Sequence, residues 1–367
     1  MNATQKLHDL GQRLWLDNIT RELLTSGTLE RYIKELAVTG LTSNPTIFDQ
    51  AIGNSDAYDG SIRRLLAEDK SGEALFFELA LEDLTRAADL FRPVFDASGG
   101  LDGWVSLEVS PLLADDTAGT IKAAARLHAR GQRPNLFIKI PGTPAGLPAI
   151  EESIFAGVPV NVTLLFSREQ YMAAAAAYMR GIERRIKAGL DANVASVASL
   201  FVSRWDVDVA ERVPEGLRNR LGIAIALRAY AAYRHLLASP RWLPLAAAGA
   251  RPQRLLWAST GTKDPAAPDT LYVEALAAPH TINTLPEKTL VAFAAHGQVR
   301  EVSAGDEGHA EATLAEFARA GIDDVALAAD LQREGVASFA DSWRDLMSRI
   351  AAKSEVFMGK PPGRPVS

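Results

Sequence analysis

Lys139 lies in the run NLFIKIPG, flanked by Phe137, Ile138 and Ile140. A lysine is almost never fully buried without a reason. Burial disfavours an ammonium, and the neutral amine is the form that attacks a carbonyl carbon. The chemistry this suggests is an imine between the lysine and a ketone. The plainer alternative is a lysine whose stem lies along the surface while its head reaches water.

Other apolar runs also close on polar groups: Asp17, Asn44, Glu108, Asn161 with Thr163, Ser199, and Ser259. Each has a structural alternative. Asp17 would cap the helix that follows. Asn44 before Pro45 would make a turn, and Glu108 would pair with a buried cation. Asn161 and Thr163, two apart and so on one strand face, would bond to each other in the core. Ser199 and Ser259, taken singly, read as structural. Together with Lys139, however, they place a polar group at the same relative position in seven runs, which stability alone does not explain.

The elements that must carry these groups are short runs rich in Val, Ile, Leu, Phe and Trp: 13–17, 37–44, 104–108, 135–139, 158–163, 194–201 and 254–259, with a weaker eighth at 280–284. Helical patterns alternate with them at 62–92, 168–188 and 214–237, Pro214 suiting a helix start, and from 308 almost to the end. Buried strands alternating with amphipathic helices predict βαβ units. No G-x-G-x-x-G follows the first strand, so a dinucleotide-binding sheet lacks its usual support. The prediction is an α/β fold, a (β/α)8 TIM barrel with additional N-terminal and C-terminal helices. In such a barrel the C-terminal strand ends form the active-site face, where the polar groups above would converge. One domain is expected over 1–355, with helices at 308–352 packed on the barrel and a flexible tail from 356 to 367.

Composition narrows the chemistry. The 367 residues are 47% hydrophobic and 23% charged, as in ordinary globular enzymes, and include no cysteine, which removes disulfides, thiolate metal sites and cysteine nucleophiles. The six histidines show no i, i+4 pair and no H-E-x-x-H, so no metal site is expected, and neither a phosphate-cradling P-loop nor a G-x-S-x-G elbow is present. The net charge of -6 argues against a nucleic-acid surface. No apolar run approaches the roughly 20 residues of a membrane span. The N-terminal stretch is polar where a signal peptide would need an apolar core, and the chain reads as cytoplasmic.

At this point the residues resemble a known family. Gly40 to Phe48 (GLTSNPTIF) is similar to the first transaldolase signature, and Leu136 to Ile154 (LFIKIPGTPAGLPAIEESI) to the second, with Lys139 at the Schiff-base position. VNVTLLFS at 160–167, SLFVSR at 199–204 and a TIN-type strand followed by long helices are also similar. The resemblance covers nearly the whole chain and points to the longer branch of the family. It implies a barrel circularly permuted relative to other class I aldolases, with the lysine on strand four. The implied reaction needs no cofactor. A dihydroxyacetone unit passes from sedoheptulose 7-phosphate to glyceraldehyde 3-phosphate, giving erythrose 4-phosphate and fructose 6-phosphate, in the non-oxidative pentose phosphate pathway.

Carried over residue by residue, Lys139 forms the imine. Glu108 shuttles protons through a water held with Thr163, and Asp17 takes the proton of the C4 hydroxyl. Asn44, Asn161 and Ser199 hold the dihydroxyacetone hydroxyls, while Phe201 and Trp205 shield the enamine. Arg204 would meet the phosphate, and Ser259 is a further substrate-binding residue. The sequence departs from many relatives two residues after Ser259, where Gly261 stands in place of an arginine; Lys263 is expected to substitute. Sugar phosphates are the expected partners, with neither nucleic acid nor membrane, and a homodimer is common for such barrels. Two rivals stay open: a sibling aldolase that releases free dihydroxyacetone, and a non-catalytic sugar-phosphate-binding barrel.

Overall fold

A computed structural model of the chain describes residues 2–359. At its centre eight parallel strands close into a barrel, following one another around the ring in chain order. They are β1 (Arg13–Asp17), β2 (Val38–Thr42), β3 (Trp104–Glu108), β4 (Leu136–Pro141), β5 (Val160–Leu165), β6 (Ser196–Phe201), β7 (Arg254–Ala258) and β8 (Ile282–Leu285). β1 and β3 match the sequence expectation residue for residue, and the others differ by a residue or two at their ends. β2 to β8 are buried along their whole length. Helices on the outside and side chains on the inside cover both faces, as parallel sheets require. The fold is the expected TIM barrel with extra helices.

Successive side chains on a barrel strand alternate inward and outward. Trp15 and Phe137 therefore stand two positions below Asp17 and Lys139, on the same inner face. Trp104 stands four below Glu108. Trp104 and Phe137 stack with ring centroids 4.1 Å apart, and Trp15 lies 6.1 Å from Phe137. Gly40 makes room for this floor, since a Cβ there would stand 2.5 Å from the Trp15 indole. The aromatic layer seals the barrel beneath the polar strand ends.

Two helix expectations need correction. The segment 62–92 is two helices, Asp59–Ala67 and Gly72–Ala97, separated where Asp69 and Gly72 take positive φ. The segment from Pro214 begins with a single 3-10 turn, and the long helix starts only at Leu221, because Asn219 sits in the left-handed region at φ 59°.

The last two helices, Ala304–Arg319 and Asp324–Phe357, lie against the barrel's outer helices. Arg228 ties the helix Leu221–Leu237 to Glu311 and Asp324, at 2.8 and 2.7 Å. The final helix is pinned to Pro45–Gly53 by Thr46–Ser342 and Arg349–Asp49 contacts. Its Gln332 donates to the carbonyls of Leu164 and Gly142 at 2.9 and 3.1 Å. This helix continues to Phe357, so the tail expected from 356 begins inside it, and residues 360–367 lie outside the described residues. No helix among the described residues is long and apolar enough to cross a membrane.

Candidate active site

Strand register creates the central pair. Glu108 stands opposite Lys139 across β3 and β4, and Lys139 opposite Asn161 across β4 and β5. Lys139 Nζ donates to Glu108 Oε2 at 3.2 Å and to the Ser43 carbonyl at 3.0 Å. Both residues are 5% exposed, which removes the surface-lysine alternative. Burial raises Glu108 above the usual carboxylate range and Asp17 adds to the rise, while the charge and hydrogen bond of Lys139 oppose it. Glu108 Oε1 and Thr163 Oγ1 are buried with no hydrogen-bond partner in the protein. Buried polar groups are normally paired, and an exception asks for an explanation.

Asp17 does not cap the next helix; Thr20 does, its hydroxyl accepting from the Leu23 N–H at 3.0 Å. Asp17 Oδ1 instead accepts from Thr42 Oγ1 at 2.8 Å, and the Thr42 and Thr284 hydroxyls lie 2.7 Å apart. Burial raises Asp17 too, against the opposing influence of Lys139, the Thr42 hydrogen bond and Lys263. Asn44 combines both of its alternatives. Its Oδ1 accepts from the Ile47 N–H at 3.0 Å and caps Pro45–Gly53, and the side chain also lines the cavity.

Asn161 and Thr163 do not bond to each other. The Asn161 amide donates to Ser106 Oγ at 3.1 Å and accepts from Ser199 Oγ at 2.7 Å. It is fully buried, and Ser199, rather than Asn161, reaches the cavity wall. Beyond Thr163 the register of β5 shifts, with Leu164 at φ 58°. A branched residue in that region is strained backbone of a kind that gathers at functional sites. The Gln332 hydrogen bond holds its carbonyl in place.

These groups surround a cavity of about 300 Å³ at the C-terminal strand ends. Asp17, Asn44, Lys139, Thr163 and Ser199 form its polar side, and Phe201 and Phe339 its apolar side. Arg204, Ser259, Gly261 and Lys263 edge it beyond β6 and β7. The Ser259 hydroxyl lies 2.9 Å from Ser203 Oγ, and Lys263 is exposed at the rim. The Arg204 guanidinium lies over the rings of Phe201 and Phe339, at 5.3 and 5.7 Å from their centroids.

Trp205 is not a cavity shield. It is fully buried and donates its indole N–H to the Phe166 carbonyl at 3.1 Å; Phe339 stands in the shielding position instead. The sequence reading also passed over Thr42, the Ser43 carbonyl, Ser106 and Thr284. Thr42 and Ser43 belong to the GLTSNPTIF run and Thr284 closes the eighth strand run, so a signal was present for them. Phe339 had none, because only the path of the last helix brings it here.

The arrangement pairs a buried amine with a carboxylate beside a second carboxylate and several hydroxyls, which suits imine and enamine chemistry on a small polyol. Known proteins are similar over nearly the whole chain. The chain is 46% identical to a transaldolase of Thermobifida fusca over 95% of its own length and 97% of that protein's. It is 47% identical to a transaldolase of Parafrankia sp., over 93% and 95% of the two chains. With a transaldolase of Thiobacillus denitrificans the figure is 47%, over 95% and 100%. The profile of the transaldolase/fructose-6-phosphate aldolase family matches residues 14–350, and the chain belongs to that family.

Proposed function

We propose that the protein is a transaldolase that carries a dihydroxyacetone unit from a ketose phosphate to an aldose phosphate, sedoheptulose 7-phosphate and glyceraldehyde 3-phosphate being the expected pair. The observation that carries this is the buried Lys139 amine, 3.2 Å from Glu108 Oε2 and open to the cavity. Glu108 Oε2, hydrogen-bonded to Lys139 Nζ, receives a proton from it, and the amine lone pair attacks the ketose C2. The carbinolamine then loses water to give the protonated imine. Glu108 relays the protons of these steps through a water shared with Thr163. The free Glu108 Oε1 and Thr163 Oγ1 support that assignment.

Asp17, oriented by Thr42, removes the proton from the C4 hydroxyl. The C3–C4 bond breaks, C4 leaves as the aldehyde of the shortened sugar, and the bonding electrons pass into the imine to form an enamine. Asn44 and Ser199 bond the hydroxyls of the retained fragment, with Asn161 holding Ser199 from below. Phe201 and Phe339 exclude water, so that the enamine waits for an acceptor aldehyde. Arg204, with Ser259 and Lys263 at the rim, meets the distal phosphate.

Borohydride reduction after incubation with fructose 6-phosphate tests this. A dihydroxyacetone-sized adduct on the peptide holding Lys139, absent from a folded Lys139→Met variant, is the expected result; no adduct with any ketose phosphate overturns the imine. The sibling aldolase activity is separated in the same mixture. Release of free dihydroxyacetone from fructose 6-phosphate as fast as transfer to erythrose 4-phosphate would favour it.

A further inference from the structure

A phosphate-binding arginine is useful only if its donors point at the phosphate before the ligand arrives, and what fixes Arg204 is unusual. The residue forms no hydrogen bond and no ion pair among the described residues, although burial weakens its hold on charge and only nearby Glu334 opposes that effect. Its contacts are the ring faces of Phe201 and Phe339. A cation within about 6 Å of an aromatic centroid is attracted by the ring, more strongly when water is excluded. Such a contact leaves all five N–H donors of the guanidinium uncommitted.

One stripe of the final helix builds this arrangement. Gln332, Gly335 and Phe339 recur at the three- and four-residue spacing that places side chains on one helix face. Gln332 sets the height of the helix through the Leu164 and Gly142 carbonyls. Gly335 stands inside a 34-residue helix, where glycine is the least favoured residue after proline. Here it has a reason. A Cβ at Gly335 would come within 3.3 Å of Arg204 Nη1 and 3.0 Å of Leu164 Cδ2, and Phe166 stands just behind. Phe339 then covers the guanidinium from one side, tilted 62° against Phe201 with centroids 6.4 Å apart.

We infer that Phe339 and Gly335 are positioning residues for phosphate recognition: Gly335 opens the slot in which the Arg204 guanidinium lies, and Phe339 holds it there with its donors free. This rests on the sugar-phosphate transfer proposed above. The final helix thereby takes part in choosing phosphorylated over unphosphorylated sugars, a role that covering the barrel does not require.

Phe339→Leu keeps the bulk of the side chain and loses the ring, and Phe339→Tyr keeps the ring. Gly335→Ala narrows the slot, pressing on Arg204 Nη1 and Leu164 Cδ2. Steady-state rates with fructose 6-phosphate, using erythrose 4-phosphate or unphosphorylated glyceraldehyde as acceptor, are read beside inhibition by inorganic phosphate and the thermal midpoint. For Phe339→Leu, KM for both sugar phosphates and the inhibition constant of phosphate rise roughly five- to thirtyfold, as loss of a desolvated cation–ring contact implies, and any fall in kcat from weaker shielding of the enamine is the same with either acceptor. Gly335→Ala, at a position outside the cavity lining, raises the same constants in the same direction with kcat within about threefold. KM for glyceraldehyde is unchanged, and Phe339→Tyr restores wild-type values. Phosphate inhibition and sugar-phosphate KM within about twofold of wild type in Phe339→Leu, or an equal rise of KM for phosphorylated and unphosphorylated acceptors, would overturn the inference. Failure of the transfer reading is recognised separately, because wild type itself would then pass no dihydroxyacetone unit to erythrose 4-phosphate. Phosphate affinity by calorimetry would still report on Phe339.

Discussion

Two cavities of about 300 Å³ lie at opposite ends of the barrel, and size does not tell them apart. At the N-terminal end, below the aromatic floor, the cavity lies among Phe95, Asp96, Gly100, Trp104 and Arg251. Its charges are already matched: Arg251 donates to the Gly99 carbonyl, and Asp96 holds Arg92. Among the strands of this end, Asp102 shares its two oxygens between Arg13 and Arg254, at 2.7 and 3.0 Å. At the C-terminal end the carboxylate of Glu108 has one oxygen unpartnered, Thr163 has a free hydroxyl, and Arg204 has only ring faces. Uncharged atoms such as Gln12 Oε1, Asn135 Oδ1 and Gln253 Oε1 lack partners at the N-terminal end as well. The charged groups named there are bonded, however, whereas at the C-terminal end a carboxylate oxygen and a guanidinium keep spare bonding capacity. Spare capacity on a charged group in a buried setting is especially costly, so its presence beside the C-terminal cavity marks where a ligand binds. This matches the general division of labour in such barrels, stability at the N-terminal face and chemistry at the C-terminal one.

Breaking each end should therefore cost different things. The largest effect expected is on rate. Glu108→Gln, which keeps the shape and loses the proton relay, should slow imine formation by about 10²–10⁴-fold. Single-turnover adduct formation would measure this, and the thermal midpoint should move little. Asp102→Asn is the mirror experiment. It leaves two largely buried arginines without their carboxylate, a defect that typically costs about 3–5 kcal/mol. Denaturant unfolding should show that loss, while kcat of the folded fraction stays near wild type. A large loss of kcat in Asp102→Asn with stability intact would reverse the division of roles.

A third test uses acidity. Asp17 must be ionised to act as base, and burial raises it above the ordinary 3.8. The acid limb of kcat is thus expected above that value and should disappear from the residual activity of Asp17→Asn. For stability the sign is opposite to that of a salt-bridged carboxylate. The native state keeps the Asp17 and Glu108 protons to higher pH than the unfolded chain does. Their contribution is therefore fully present in acid, below the unfolded values, and is lost as pH rises through the raised native ones. Asp17→Asn should accordingly gain stability relative to wild type on going from acid to neutral pH. The smallest effect is expected at the rim: Lys263→Ala should raise KM for phosphorylated sugars only a few-fold, because an exposed charge is screened. Arg204→Ala should raise it far more.

Much of the barrel was legible because each strand is a local pattern. Leu14, Trp15 and Leu16 between Arg13 and Asp17 announce a strand without help from the rest of the chain. The buried lysine was legible for the same reason, as a charge embedded in Phe137, Ile138 and Ile140. The breaks at Asp69 and Asn219 were missed because helical periodicity continues across them, and only the backbone's excursion to positive φ interrupts it. Trp205 was misjudged because its neighbour Phe201 faces the cavity. The short helix Ser203–Val209 turns the tryptophan away to meet the Phe166 carbonyl.

By itself, then, the sequence determined the strands, the polar strand ends and the candidate nucleophile, since all three depend on residues a few positions apart. Only the tertiary structure decided who partners whom. Asp17 meets Thr42 rather than a helix end, Asn161 holds Ser199 rather than Thr163, and Phe339 covers Arg204. Those pairings join distant parts of the chain, and they are set by the register at which eight strands close and by the path of the last helix. No periodicity within a single segment encodes either.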